Sequence, residues 1–291
     1  MSTVIFTDSC CDLPLEFIRE NNIELISLRV KYESEDLPDD LGQSIKYEDF
    51  YNKIKSGVIP TTSQANAYYF EEEFRKHAKL NKSIIYIGFS SALSGCVNSA
   101  RIAKEIIEEE IPQADITVID SKSASLGLGL LVYNAVEMIK EGNTKEEIVK
   151  WIEENKLKVN HWFTVDDLNH LKRGGRISGT VAIVGTMLNI KPIMHVDIEG
   201  RLIPVTKVKG RKKSIKELFE RLKEHIVNPE EQTIFISHGD CLEEAEVLRD
   251  LILSQYKVKD CIINYVGPVI GSHSGPGTIA LFFVGNNREL N

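Results

Sequence analysis

A chain of 291 residues with 42% hydrophobic side chains is long enough to bury a sizeable core or two. Its formal net charge of −8 argues against non-specific attraction to nucleic acid or to an anionic membrane. No stretch approaches the ~18 uncharged apolar residues of a membrane span, and residues 1–14 lack the basic and apolar regions of an export signal. Five cysteines occur without C-x-x-C or histidine spacing, so a cytoplasmic location with no zinc site and no disulfide framework is expected.

Val4 to Thr7 reads as a short strand ending at Asp8-Ser9, after which Asp12-Leu13-Pro14 starts a helix through Phe17 and Ile18. Leu25 to Val30 is expected as a second strand. The acidic stretch Glu33 to Asp40, which includes Pro38, reads as a solvent-exposed loop. Tyr47 to Lys55 has helical spacing that Gly57 ends, and Pro60 to Gln64 is expected as a polar turn before a helix carrying Tyr69, Phe70 and Phe74. Ser83 to Phe89, rich in β-branched and aromatic side chains, predicts a buried strand. The serine-rich turn Ser90 to Gly95 then feeds a helix in which Val97, Ala100, Lys104 and Ile107 follow a helical period with one wet position. Ile116 to Ile119 is the next strand, and Asp120 to Ser123 is expected to open a helix that includes Gly127-Leu128-Gly129. Thr144 to Glu147 is a capping box before a helix with Ile148, Trp151 and Ile152 on one face. Strands alternating with helices imply a three-layer α/β domain built on a mostly parallel sheet.

The polar segment Asn155 to Lys158 marks the expected boundary between an α/β domain over residues 1–156 and an α+β domain over 157–291. In the second half, strands are predicted over Val159 to Val165, Ile190 to Val196, Leu202 to Lys207, Thr233 to Ser237, Ile262 to Val266 and Ile279 to Val284. Helices are predicted near Ser214 to Ile226 and Leu242 to Gln255. A tight turn at Glu199-Gly200 makes part of this sheet antiparallel, hence a mixed sheet.

In parallel sheets the ligand lies beyond the carboxyl ends of the strands. Asp8-Ser9, Ser90 to Gly95 and Asp120-Ser121 all fall there. A helix starting after Gly95 points its unpaired N–H groups and positive dipole end at the serine-rich turn. The hydroxyls of Ser91 or Ser94 could join them around a carboxylate or phosphate, or a serine could simply cap the helix. Thr61, Thr62 and Ser63 are hydroxyls at another helix entrance. Leu171 to Ser178 combines three cations with paired glycines, which fits either a helix end with surface charge or an anion clamp. Gly267 to Gly277, dense in glycine and proline, reads as a loop with His273 at its centre as a hydrogen-bond donor or proton-transfer group. The run Lys207, Lys209, Arg211, Lys212 and Lys213 is either a solvated face or a dock for an acidic partner or phosphate.

Several chemistries lose support from the same residues. Gly127 and Gly129 suit close packing, because the third position of a dinucleotide fingerprint is Val132. No phosphate-binding G-x-x-x-x-G-K-[ST] occurs. Ser94, His273 and Asp120 supply the residue types of a serine hydrolase acting on an acyl substrate, which is the alternative reading. Against it, Ala92 occupies the first glycine position of the nucleophile elbow.

Taken together and in order, these motifs resemble the DegV family of bacterial fatty-acid-binding proteins. The residues that carry the resemblance are Thr7-Asp8-Ser9 with Asp12-Leu13-Pro14, Thr62-Ser63-Gln64, Ser90 to Gly95 with Ser99-Ala100, Asp120-Ser121, Gly174 to Ser178, Ile190-Lys191-Pro192, and His273 through Gly277. Cys96-Val97 and Ala65-Asn66 depart from the family's usual Thr-Tyr and Pro-Ser. The resemblance implies one long-chain fatty acid in a tunnel between two domains, no cofactor, and no catalysis by this chain. By similarity Thr62 and Ser94, with main-chain N–H groups near Gly95, would bind the carboxylate, while Arg176, His273, Ser63 and Ser91 would lie near the head group or a docking surface. It further implies a carrier that presents the acid to a separate ATP-dependent fatty acid kinase, whose acyl phosphate feeds phospholipid synthesis.

Overall fold

In a computed structural model, residues 2–177 and 189–289 are described. Ser178, the last residue of the glycine-arginine motif, lies outside them. The first half is organised by strands β1 (Thr3–Asp8), β2 (Glu24–Ile26), β6 (Ser83–Gly88) and β7 (Asp115–Asp120), which pair in parallel in the order β2-β1-β6-β7. Strand β6 is buried at every residue, so both sheet faces are covered. Helices α3 (Ala67–Ala78) and α4 (Cys96–Glu110) pack together beside β6 and β7. Helix α5 (Leu126–Lys140) packs with α6 (Lys145–Asn155) beside β1 and β6. Thr144 caps α6 as expected, with Glu147 returning the hydrogen bond.

Three strand expectations for this half are corrected. Leu25 to Val30 is not one strand: β2 ends at Ile26 and β3 (Arg29–Tyr32) joins a separate three-stranded antiparallel sheet with β4 (Glu35–Pro38) and β5 (Thr61–Ser63). The break falls at Leu28, whose N–H donates to Ser9 Oγ at 3.1 Å and so leaves the ladder. Residues expected as an exposed acidic loop and a polar turn therefore contain strands, and Asp39 at the end of β4 is buried. Short helices α1 (Leu15–Glu20) and α2 (Tyr47–Lys55) complete this part.

The chain changes sheets between Asn155 and Val159. Strands β8 (Val159–Thr164), β9 (Ile190–Val196), β10 (Leu202–Lys209), β11 (Thr233–His238), β12 (Asp260–Tyr265) and β13 (Ile279–Val284) form a mixed sheet in the order β10-β9-β8-β13-β11-β12. Only β11 and β12 run parallel; the hairpin β9–β10 turns at Gly200, whose φ of +81° suits glycine. Helices α8 (Arg211–His225) and α9 (Leu242–Leu253) pack on this sheet, and α7 (Leu168–Arg173) follows β8. The segment expected as a Gly/Pro loop around His273 is helix α10 (Pro268–Ser274). Proline at its first turn supplies a pre-set φ and lacks only an N–H that the helix leaves unpaired anyway.

Helix α5 explains how the halves meet. It touches β1 and β6 of one sheet and β8, β11 and β13 of the other, so residues 126–132 are all buried and apolar or glycine, and charged Glu137 and Lys140 come only near its end. Its expected start at Asp120 is too early: Asp120 ends β7, residues 121–125 are irregular and the helix begins at Leu126. A Cβ on Gly127 would overlap His161 Nε2, and one on Gly129 would come within 2.7 Å of the Cys11 carbonyl, so both glycines serve close packing. Arg288 closes the seam from the far end of the chain. Its buried guanidinium donates to the carbonyls of Val159 (2.6 Å), Lys122 (2.5 Å) and Lys156 (2.6 Å) and to Ser123 Oγ (2.7 Å). No helix among the described residues is long and apolar enough to cross a membrane.

Candidate functional site

Between the two large sheets lies a cavity of about 570 Å³, inside the span of roughly 300–1,000 Å³ usual for small-molecule sites. Its wall is mostly apolar: Leu28 and Phe89 come from the first half, and Phe163, Val196, Val269 and Phe282 from the second. Thr62, Ser94, Arg176 and His273 gather at one end, drawn from β5, the turn before α4, the segment after α7, and α10.

Thr62 Oγ1 lies 2.7 Å from His273 Nε2. Burial, helped by the nearby Arg176 charge, lowers the His273 pKa to about 4, so the imidazole is neutral at neutral pH. The hydroxyl–imidazole pair therefore offers polar hydrogens without a fixed charge. Arg176 donates to the Gly174 carbonyl at 2.5 Å, and a Cβ on Gly174 would overlap His273 Nδ1, so the paired glycines let arginine and histidine share this corner. Ser94 Oγ accepts from the N–H of Cys96, the first residue of α4, at 3.3 Å, and its own hydrogen points to Cys96 Sγ at 3.4 Å.

The remaining expected residues divide. Gly95 and Ser63 line the cavity, but the Gly95 N–H is held by Gln64 Oε1 at 2.8 Å, while Gln64 Nε2 donates to Ser99 Oγ at 3.2 Å. Gln64 is thus a positioning residue that reading by residue type alone did not single out. Ser91 stands outside the lining; its hydroxyl donates to Asp120 Oδ2 at 2.5 Å and accepts from Lys122 Nζ at 3.1 Å. Asp8 and Asp120 do sit at strand ends but are taken by neighbouring main-chain and side-chain donors and are not in the cavity lining. Asp8 accepts from Phe89 N–H at 2.8 Å and Tyr86 O–H at 2.7 Å, and burial raises its pKa to about 6. The hydrolytic arrangement is not assembled: Asp120 is taken by Ser91 and Lys122, Ser94 by Cys96, and His273 by Thr62. Among the described residues no group of three or more His, Cys, Asp or Glu could hold a metal ion.

Two sheets enclosing a mostly apolar cavity, with hydroxyls and a neutral imidazole at one end, define an α/β protein built to hold a small amphiphile-shaped space. A family model described as "Uncharacterised protein, DegV family" matches residues 2–286, and the chain belongs to that family. It is 49% identical over 286 residues to a DegV domain-containing protein of Clostridium perfringens, covering 98% of each chain. Among solved structures it is similar to DegV of Bacillus subtilis, described as a fatty acid binding protein, at 30% identity and a TM-score of 0.86, covering 98% of this chain and 100% of that one. It is also similar to a DegV family protein of Ruminococcus gnavus solved with vaccenic acid, at 28% identity and a TM-score of 0.88, covering 97% and 99%.

Proposed function

We propose that this protein binds one long-chain fatty acid in the cavity between its sheets and presents the carboxylate to a separate ATP-dependent kinase. The observation that carries the reading is the cavity's polarity: a long apolar wall that ends in Thr62, Ser94 and the neutral His273. The family's fatty-acid-bound members support it. Roughly sixteen methylenes at ~0.8 kcal/mol each set an upper limit near ~13 kcal/mol for the tail, less the cost of ordering and lost translation. The tail supplies the affinity. The head supplies the choice, because a carboxylate taken from water without partners costs several kcal/mol or takes up a proton. Neutral donors with Arg176 at the edge suit a carrier whose cargo must be handed on; a bidentate arginine clamp would oppose release. In this reading Thr62 and Ser94 hold the carboxylate, Gly95 joins them only by exchanging its Gln64 partner, and Arg176, His273, Ser63 and Ser91 border the exit or the docking surface.

The test is a calorimetric titration of lipid-free protein with hexadecanoic acid and with its methyl ester, followed by ATP and a purified fatty acid kinase catalytic subunit. The reading predicts stoichiometric binding of the acid, weaker binding of the ester, and acyl phosphate formed only when all components are present. Equal binding of acid and ester would remove the head-group assignment, and no acyl phosphate would remove the kinase.

A further inference from the structure

The cavity carries a second polar group, away from Thr62 and His273, that a saturated acyl chain leaves without a partner. Ser125 at the start of α5, Ser237 on β11 and His161 on β8 all line it and are 5%, 0% and 1% exposed. They form one patch. Ser125 Oγ lies 2.9 Å from Ser237 Oγ and 2.5 Å from Asp12 Oδ2, and the neighbouring Ala124 N–H approaches His161 Nε2 at 3.5 Å.

Each group in the patch keeps hydrogen-bonding capacity to spare. His161 Nδ1 lies 2.9 Å from the Val159 carbonyl, which can only accept, so Nδ1 carries the hydrogen. Burial holds the ring neutral, which leaves a lone pair on Nε2. That lone pair meets only the Ala124 N–H among the described residues, at 3.5 Å, the outer limit of a hydrogen bond, so a closer donor can take its place. Ser237 Oγ has the Ser125 hydroxyl as its partner. When Asp12 is ionised, Ser125 donates to it and Ser237 donates to Ser125; when Asp12 is protonated, both hydrogens reverse and Ser237 O–H is free. In either state Ser237 oxygen has an unused lone pair at the wall.

The patch is tied to the opposite end of α10 from His273. Asp12, which holds Ser125, accepts from the Gly267 N–H at 3.0 Å at the start of α10, whereas His273 is near the other end of that helix. Six residues of helix separate them by about 9 Å. The register agrees: Ser237 pairs with Ala280 and Ala280 with Phe163, and His161 with Phe282 occupies the adjoining row. A chain anchored at Thr62 and lying along Val269 and Ile270 would pass this patch partway along its length.

We propose that Ser125, Ser237 and His161 form a subsite for a hydroxyl group carried on the middle of the acyl chain. The proposal rests on the fatty-acid reading and deepens it to a substrate class, hydroxylated long-chain acids. A hydroxyl satisfies the patch more fully than a carbonyl, which can only accept from a free Ser237 O–H, or a methyl, which does neither: it donates to His161 Nε2 or Ser237 Oγ and also accepts when Ser237 O–H is free. In a plain apolar tunnel the same hydroxyl would be buried without a partner and would weaken binding.

The experiment is a competition, read by native mass spectrometry, between hexadecanoic acid and its α-, mid-chain and ω-hydroxy isomers on lipid-free full-length protein. At least one mid-chain isomer is expected to bind as tightly as the parent or more tightly. Ser237→Ala is expected to shift that isomer's preference over the parent by roughly tenfold toward the parent. His161→Phe, which keeps the ring volume without the lone pair, is the second variant and should move the ratio the same way. Weaker binding of every mid-chain isomer, or ratios unmoved in both variants, overturns the subsite while leaving the carrier reading intact. Binding of neither parent nor isomers overturns both.

Discussion

Thr62 Oγ1 and His273 Nε2 meet at 2.7 Å although 211 positions separate them, so one end of the cavity exists only when the small antiparallel sheet and helix α10 are both in place. Helix α10 is set from its other end by carboxylates of the first half: Asp12 takes the Gly267 N–H at 3.0 Å and Asp39 takes the Val269 N–H at 3.1 Å. The head-group corner is therefore an assembly of both halves of the chain.

The paired variant Thr62→Ala with Ser94→Ala removes both hydroxyls at that corner. Hydrogen bonds to a charged group contribute about 1.5–3 kcal/mol each, so losing both should lower affinity for hexadecanoic acid at least roughly a hundredfold, with acyl phosphate formation falling alongside. Isothermal calorimetry checks the first and a coupled kinase assay the second. Wild-type values for both would remove these residues from the site.

Charge reversal at Arg176 or Lys209 separates pocket from dock. Arg176 lines the cavity and Lys209 ends β10 in an exposed position. Arg176→Glu and Lys209→Glu should each lower acyl phosphate formation more than fatty-acid affinity, as measured with kinase at several salt concentrations. Equal losses in the two readouts would place the residue in the pocket instead.

Gly127→Ala tests the contact that seats α5 between the sheets. The new methyl overlaps His161 Nε2, and overpacking of this kind costs about 1–3 kcal/mol, which outweighs alanine's better helix propensity. Urea denaturation should show the loss, and His161→Ala in the same chain should recover part of it. Two losses that simply add would show that the residues do not touch.

Asp39 makes stability depend on pH in a stated direction. Burial raises its folded pKa from 3.8 to about 7 against partial compensation by the Val269 N–H. The folded state then holds a proton that the unfolded state has lost, so this group's contribution falls as pH rises from about 4 to about 7. Asp39→Asn cannot ionise. Between pH 5 and pH 8 its urea midpoint should gain on the wild type, by up to a few kcal/mol in stability. A difference that stays constant with pH would mean the carboxylate ionises as easily folded as unfolded.

The sequence made the strand and helix order of the first sheet readable because β6 and β7 are short β-branched runs followed by amphipathic helices, and because Thr144-x-x-Glu147 is a capping box with a fixed geometry. Thr62, Ser94 and His273 could be singled out as hydroxyls and imidazole at polar turns, and the structure puts all three on one cavity wall. The apolar lining could not be read this way. Strand β8 is buried at all six residues, so nothing in its pattern says that Phe163 and His161 face a cavity while Trp162 faces a second core. Helix α10 was hidden by glycine and proline counts that usually mean loop, and Asp39 by its place in an acidic stretch; both depend on partners more than two hundred residues away. Gln64 was visible as part of a motif, but its grip on the Gly95 N–H requires two turns to be brought together.

The most direct test of the central claim is mass spectrometry of the purified full-length protein, first in the native state and then after organic extraction. The account predicts one bound fatty acid per chain, with the mass difference between native and denatured protein equal to the mass of the extracted lipid. A folded protein that carries no lipid and takes up none from a panel of long-chain acids would contradict it.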